Sequence, residues 1–259
     1  MRADQLLVER GLAASRSQAA RLVASGVRWR AAGADAPWRT VAKSGEEVPV
    51  GADIELLDAA EARYVSRGGL KLEGALRASG VDPAGRRCLD VGQSTGGFTD
   101  CLLQRGAARV VGVDVGHGQL HGRLREDARV LAVEKVNARA LRREDFLEAG
   151  DAATPFGLIV GDLSFISLTL VLPALLPWLA PGGDLLMLVK PQFELQPHQV
   201  GKGGIVRDAQ HYLDVEARLR AACEEQGLRV AGWFDSPIAG GDGNREFFVH
   251  AVHEKTAQK

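Results

Sequence analysis

Apolar residues change rhythm along the chain, and the change divides it. Over residues 3 to 10 and 16 to 25 they recur at helical intervals (Leu6 and Leu7; Ala19, Ala20, Leu22 and Val23), with Gly11 and Gly26 placed as stops. Val27 to Arg30 and Val48 to Leu57 read as strands, so residues 1 to 58 form a small α+β module. Residues 59 to 66, small and charged, read as a linker. From residue 67 to 259 short apolar runs alternate with helical segments. The runs fall at 88 to 91, 109 to 114, 130 to 137, 156 to 162, 184 to 190, 229 to 235 and 246 to 252. This order predicts an α/β domain with a mostly parallel sheet of about seven strands and helices on both faces. Ligands then sit at the carboxyl ends of the strands.

The first of those strands runs into CLDVGQSTGGFTD, residues 88 to 100. Strand, glycine turn and helix is how such sheets hold a nucleotide-like ligand, because glycine lets backbone approach the ligand closely. Gly92, Ser94, Thr95, Gly96, Gly97 and Phe98 are the candidate cradle, with Thr95 or Thr99 expected to cap the helix. The spacing lacks the full G-x-G-x-x-G, so a dinucleotide fits less well than an adenosyl ligand. Asp90 would repel a pyrophosphate and attract a sulfonium or amino group, which favours S-adenosylmethionine. Asp114 lies 22 residues after Gly92, the distance at which an acid meets ribose hydroxyls. Asp90, Asp114, Asn137, Asp162 and Lys190 each end a strand, and five polar strand ends on one sheet edge mark a site. Lys71 falls in the first turn of a helix starting near Leu70, where the helix dipole disfavours a cation.

Composition narrows the function. The 259 residues are 46% hydrophobic and 25% charged, a soluble globular balance. The longest apolar candidate, around Leu168 to Leu179, is broken by Pro173 and Pro177, so no run reaches the length of a membrane span. The start, MRADQLLVERG, is no signal peptide, and the cytoplasm is the default location. Cys88, Cys101 and Cys223 form no C-x-x-C pair and read as buried small hydrophobes, while the six histidines show no metal spacing, so no metal is expected. The net charge of −1 conceals a basic end: residues 1 to 45 hold eight Arg or Lys against three acids. Such local excess suits a polyanion. The glycine-rich basic stretch 196 to 208 is no P-loop and reads as a mobile lid.

Two resemblances sharpen this. The run R-x-D-x-L-L-x-x-x-G-L-x-x-S-R-x-x-A from Arg2, continuing to Gly26, resembles the S4 RNA-binding domain, departing from it after Val27. The segments SRGGLKL, LDVGQSTGGFTD, VDVGHGQL, GDLSFIS, LVKPQFE, VGKGGIVRD and SPIAGGDGNREFF resemble, in order, the hemolysin A (TlyA) family of ribosomal RNA 2′-O-methyltransferases, relatives of the FtsJ-like enzymes. The resemblance implies a Rossmann-like S-adenosylmethionine-dependent methyltransferase domain behind an S4-like one. Its substrate would be ribosomal RNA, with a cytidine ribose as acceptor, and no membrane partner. The family's catalytic Lys-Asp-Lys-Glu tetrad falls on Lys71, Asp162, Lys190 and Glu246. Lys190 is the expected base, Asp162 its orienting partner, and Lys71 with Glu246 the pair that holds the hydroxyl. Arg2, Arg16, Arg21, Lys202 and Arg207 are the expected RNA contacts. One departure is EKVNAR at residues 134 to 139, where relatives read E-x-T-N. The competing readings are a non-catalytic RNA-binding protein and a membrane-active hemolysin. A nicotinamide oxidoreductase is disfavoured by the glycine spacing.

Overall fold

The computed structural model describes residues 1–33, 36–57 and 63–253; of the expected linker, residues 59 to 62 lie outside that set, as does Asp35. The chain divides into two compact units, Met1–Gly69 and Leu70–Lys259.

In the first unit, helices α1 (Ala3–Glu9) and α2 (Arg16–Gly26) pack on an antiparallel sheet of β1 (Val27–Arg30), β2 (Arg39–Thr40) and β3 (Asp53–Leu56), in the order β2-β1-β3. Ser15 caps α2 by accepting the Gln18 N–H at 3.3 Å, which supplies one of the bonds the first turn lacks. Leu6, Leu7, Leu22 and Val27 close the core. The strand expected over 48 to 57 shrinks to Asp53–Leu56. Pro49 has no N–H to donate, and its carbonyl instead closes a turn onto Ala52 N–H.

The second unit carries α3 (Gly68–Ser79, crossing in from the first), β4 (Arg87–Val91), α4 (Gly97–Gln104), β5 (Arg109–Asp114), α5 (Gly122–Arg125), β6 (Val130–Glu134), α6 (Arg143–Glu148), β7 (Phe156–Gly161), α7 (Leu172–Leu175), β8 (Leu179–Val189), α8 (Pro191–Glu194), α9 (Ala209–Glu225), β9 (Leu228–Asp235) and β10 (Phe247–His253). The seven strands lie in the order β6-β5-β4-β7-β8-β10-β9. The first five are parallel, and β10 enters antiparallel between β8 and β9, a detail the alternation of runs does not reveal. Cys88, Leu89, Asp90 and Val91 are all fully buried, as a strand covered on both faces requires. The three cysteines are free and buried, and burial pushes the Cys88 thiol up to about 12. The third strand stops at Glu134 rather than residue 137, because Lys135 takes a left-handed conformation (φ 63°) that ends the ladder. From β4 the chain winds to β5 and β6 on one side and to β7 and β8 on the other. The crevice between β4 and its neighbours is therefore the expected ligand position.

Candidate active site

At the carboxyl end of β4 the backbone turns through Gly92 (φ 84°), where an added Cβ would lie 2.6 Å from the Asp162 carbonyl oxygen. Only glycine lets the β4 and β7 ends approach so closely. Ser94 follows at φ 46° and donates its N–H to Asp114 Oδ2 at 2.8 Å, while Gly116 N–H donates to Asp114 Oδ1 at 2.7 Å. Asp114 is thus fixed at the β5 end with lone pairs to spare. Asn137 caps a 3-10 turn, accepting the Arg139 N–H at 3.0 Å.

These ends open on a cavity of about 550 Å³ whose wall includes Gly92, Ser94, Asp114, Asn137, Asp162 and Phe165. Val113, Val115, Val136 and Ile166 add an apolar side. Apolar walls with a carboxylate at one strand end suit an adenosyl group with its ribose diol, and the size is that of a ligand pocket. Residues expected at the cofactor do not all reach this wall. Asp90 lies beneath the turn, fully buried, accepting the Thr99 hydroxyl at 2.7 Å through Oδ2 while Oδ1 has no partner. Burial lifts its carboxyl to about 7. Gly96 (φ 96°) is the N-cap of α4 with no side-chain cap, so neither Thr95 nor Thr99 caps it as expected. A Cβ there would strike Leu124 Cδ1 at 2.4 Å, which makes Gly96 a packing requirement. Thr95 accepts the His121 N–H through its carbonyl; Gly97 opens α4 and is buried; and the Phe98 ring is buried on Phe248, 6.1 Å between centroids.

The four residues of the expected tetrad converge. Lys71 Nζ is 2.6 Å from Glu246 Oε2 and 4.0 Å from Asp162 Oδ2, and Lys190 Nζ is 2.6 Å from Asp162 Oδ1. Lys190 also donates to Ser164 Oγ at 2.8 Å. Each amine thus has its own carboxylate, with Asp162 between them on the cavity wall. Asp162 Oδ1 and Glu246 Oε2 are buried yet make no aligned hydrogen bond, so the ion pairs leave lone pairs uncommitted. Burial lifts the Glu246 carboxyl above its ordinary value despite Lys71 beside it. Beside this cluster Phe165 stands 90% exposed at φ 63°, its ring tilted on Phe193 at 5.0 Å. Ser164, Phe165 and Phe193 were missed by reasoning that followed charges; a phenylalanine three residues beyond a strand-end acid was the available signal.

Among the expected RNA contacts, Lys202 and Arg207 are exposed. In the first unit, Arg2 and Arg16 both pair with the buried Asp4, at 2.9 and 3.0 Å, and Arg21 donates to the Ser17 carbonyl. The Arg2 hydrogen bond, aided by Arg16, holds the Asp4 carboxyl well below the usual range. Among the described residues no group of three or more acids, histidines or cysteines is arranged for a metal, and no helix is long and apolar enough to cross a membrane.

Residues 64–253 match the FtsJ-like methyltransferase family. The chain is 45% identical over 248 residues to the 16S/23S rRNA (cytidine-2′-O)-methyltransferase TlyA of Mycobacterium tuberculosis (strain CDC 1551 / Oshkosh), covering 96% of this chain and 88% of that one. It is 40% identical over 190 residues to hemolysin A of Brachyspira hyodysenteriae, 73% of this chain and 77% of the relative. A solved structure of a candidate hemolysin from Streptococcus thermophilus is 40% identical and superposes with a TM-score of 0.74 over 100% of this chain and 90% of its own. With a catalytic unit matched nearly end to end and relatives this similar over most of their length, the chain belongs to the TlyA family of FtsJ-like methyltransferases.

Proposed function

We propose that the protein methylates the 2′-hydroxyl of a cytidine ribose in ribosomal RNA. The observation that carries this is the meeting of Lys71, Asp162, Lys190 and Glu246 at the edge of an adenosyl-sized cavity. When bound, S-adenosylmethionine supplies a methyl group on a sulfonium, an electrophile that needs a hydroxyl oxygen in line behind its carbon. Asp114 would accept the cofactor's ribose hydroxyls, Asn137 would meet its adenine, and the valine wall would cover the ring. Asp162 closes the cavity on the side of the amines.

A ribose hydroxyl entering there meets Lys190, held by Ser164 and Asp162. As the methyl carbon passes from sulfur to the ribose oxygen, the C–S bond breaking while the O–C bond forms, Lys190 Nζ would take the hydroxyl proton and Asp162 would pair with the ammonium that results. Lys71, fixed by Glu246, donates to the same oxygen and sets its approach. Two amines alone would repel; two carboxylates between them make the cluster near neutral and let both amines sit together. Proton acceptance is worth roughly 10² to 10⁴ in rate, whereas holding two reactants in line can contribute about 7–11 kcal/mol. Positioning therefore dominates. Phe165, exposed beside Lys190, offers a ring face for the target base once it leaves its stack.

The first unit, basic over residues 1 to 45, is the RNA-docking module, with Arg2, Arg16 and Arg21 on its helices and termini facing phosphates. Lys202 and Arg207, exposed on the loop held by Asn244, add phosphate contacts.

The test is methyl transfer to ribosomes lacking the modification, read by mapping 2′-O-methyl positions. Lys190→Ala should leave S-adenosylmethionine binding nearly intact while transfer falls at least about 100-fold. Wild-type turnover in that variant would sink the assignment. Deleting residues 1 to 58 should weaken RNA affinity; equal binding and methylation by the shortened chain would remove the docking role.

A further inference from the structure

The stretch 196 to 208, expected to be a mobile lid, is pinned in this structure. It forms two 3-10 turns, Pro197–Gln199 and Lys202–Gly204, and Gly201 N–H donates to the Ile205 carbonyl at 3.0 Å. Two side chains from elsewhere fasten it: Tyr212 donates its hydroxyl to the Val206 carbonyl at 2.8 Å, and Asn244 makes the larger grip. Asn244, 1% exposed, accepts the Val206 N–H at 2.9 Å through Oδ1. Its Nδ2 donates to the Gly204 carbonyl at 2.8 Å and to Asp242 Oδ2 at 2.9 Å. The carboxamide thus spends both donors and an acceptor on the loop and its own turn, a fully committed buried amide.

The turn that carries Asn244 leads straight into the reaction centre. Glu246 follows two residues later, and a Cβ on Gly240 would lie 2.7 Å from Glu246 Oε1, so the turn packs against that carboxylate. Gly240 N–H donates to the Asn244 carbonyl at 2.9 Å, and Asp242 Oδ2 accepts from Gln192 Nε2 at 3.0 Å, two residues beyond Lys190. One hydrogen-bonded strip therefore joins the segment after Lys190, the segment before Glu246 and the basic loop.

We infer that Asn244 is a positioning residue: by gripping Gly204 and Val206 it holds the loop bearing Lys202 and Arg207 in register with the strand end bearing Glu246. Phosphate contacts made by the loop and placement of the tetrad carboxylate are then set together. RNA seated on the loop steadies Glu246, and a loosened loop weakens both binding and turnover. The inference rests on the tetrad being the reaction centre, and its test separates the two claims.

The experiment uses the full chain in five forms: wild type, Asn244→Ala, Asn244→Asp, Lys190→Ala and the double variant Asn244→Ala with Lys202→Ala. Hydrogen exchange, S-adenosylmethionine affinity, and KM and kcat for ribosomal RNA are measured on each. A lost buried hydrogen bond corresponds to about tenfold in an equilibrium, so the Val206 amide of Asn244→Ala should exchange at least about tenfold faster, with β4 and β7 amides unchanged. KM for RNA should rise and kcat fall by about tenfold each, while S-adenosylmethionine affinity stays within about twofold. Asn244→Asp keeps the acceptor for Val206 N–H but loses the donors to Gly204 and Asp242 and sets a second carboxylate against Asp242, so it should loosen the loop at least as much as Asn244→Ala. Adding Lys202→Ala to Asn244→Ala should raise KM no further, since the loop is already unseated. Unchanged Val206 exchange overturns the grip; fast exchange with wild-type KM and kcat overturns the coupling. Full activity in Lys190→Ala would remove the tetrad reading, while Val206 exchange would still report the grip by itself.

Discussion

Strands β8 and β10 carry a buried charge cluster at each end, and the two are built to opposite effect. At one end, Asp184 on β8 accepts from His250 on β10 at 2.7 Å and from Arg86 at 2.6 Å. Burial alone would raise that carboxyl, yet the His250 and Arg86 hydrogen bonds outweigh it and hold Asp184 below its ordinary value. At the other end, Lys190 follows β8 and Glu246 precedes β10. There burial wins, and the Glu246 carboxyl sits above its ordinary value with one oxygen unaligned to any donor. Charged groups on and beside one strand pair thus give a satisfied staple at one end and, at the other, a cluster with an unaligned carboxylate oxygen. The second arrangement leaves room for another group to complete it, the part proposed above for a substrate hydroxyl.

The sharpest way to break the comparison is to neutralise one carboxylate at each end. Glu246→Gln should lower methyl transfer by about 100-fold or more with RNA binding little changed, since it removes the charge that holds Lys71 at the hydroxyl. Asp184→Asn should leave kcat per folded molecule unaltered and cost about 1–3 kcal/mol of stability, measured by urea unfolding, because it strips charged hydrogen bonds from a mostly buried group. Similar kinetic losses in both variants would mean that the two ends are not functionally distinct. Asp184 also fixes a sign. Its carboxyl is depressed in the folded state, so its contribution is present above the unfolded value and is lost as pH falls through the folded one.

Asp90 carries the contrast inside the cofactor turn, with the sign reversed. Its folded value is about 7, raised from 3.8 by burial, so between these limits the folded state holds a proton that the unfolded chain has released. Stability should therefore fall as pH rises from about 4 to 7, at up to about 1 kcal/mol per pH unit. Asp90→Asn keeps an oxygen for the Thr99 hydroxyl and carries no charge, so its unfolding free energy should lack that slope. A wild-type protein whose stability does not decline across this window would show that Asp90 is ionised at no such cost.

Asp90 also shows what the sequence could reveal and what it hid. The strands were legible because both faces of the sheet are covered and each strand is a near-continuous apolar run; the order of β9 and β10 was not, because antiparallel insertion leaves no periodicity of its own. Strand-end polarity pointed to one edge of the sheet, and Asp114, Asn137 and Asp162 line a cavity there. The same rule treated Asp90 as their equal, although it lies inside the last turn of β4 and its pleat directs it to Thr99. Lys71 and Glu246, some 175 positions apart in the chain, owed their pairing to family resemblance; no local pattern brings them together. Phe165 was passed over because attention went to charged strand ends, and its exposure shows only in the fold.

Aromatic exposure gives a smaller effect. Phe165→Ala should raise KM for RNA by about 30-fold, the middle of the range for one lost base stack, with S-adenosylmethionine affinity unmoved. An unchanged KM would assign the target base to another surface.

The finest distinction lies between two sets of arginines and lysines offered to the same polyanion. Arg2 and Arg16 are already paired to Asp4, whereas Lys202 and Arg207 stand exposed on their loop. Each cation that meets a phosphate adds about 0.7–0.9 to the slope of log affinity against log salt, through the counterions it releases. Replacing Lys202 and Arg207 together by alanine should therefore flatten that slope by about 1.5, whereas Arg16→Ala alone should change it by less than one full contact because Asp4 already offsets part of its charge. Titrations at three or four salt concentrations resolve differences of this size. If Arg16→Ala flattens the slope as much as the loop pair, the Asp4 network opens on RNA binding and its arginines are released to the phosphates; if the loop pair changes nothing, the basic loop faces solvent, not RNA.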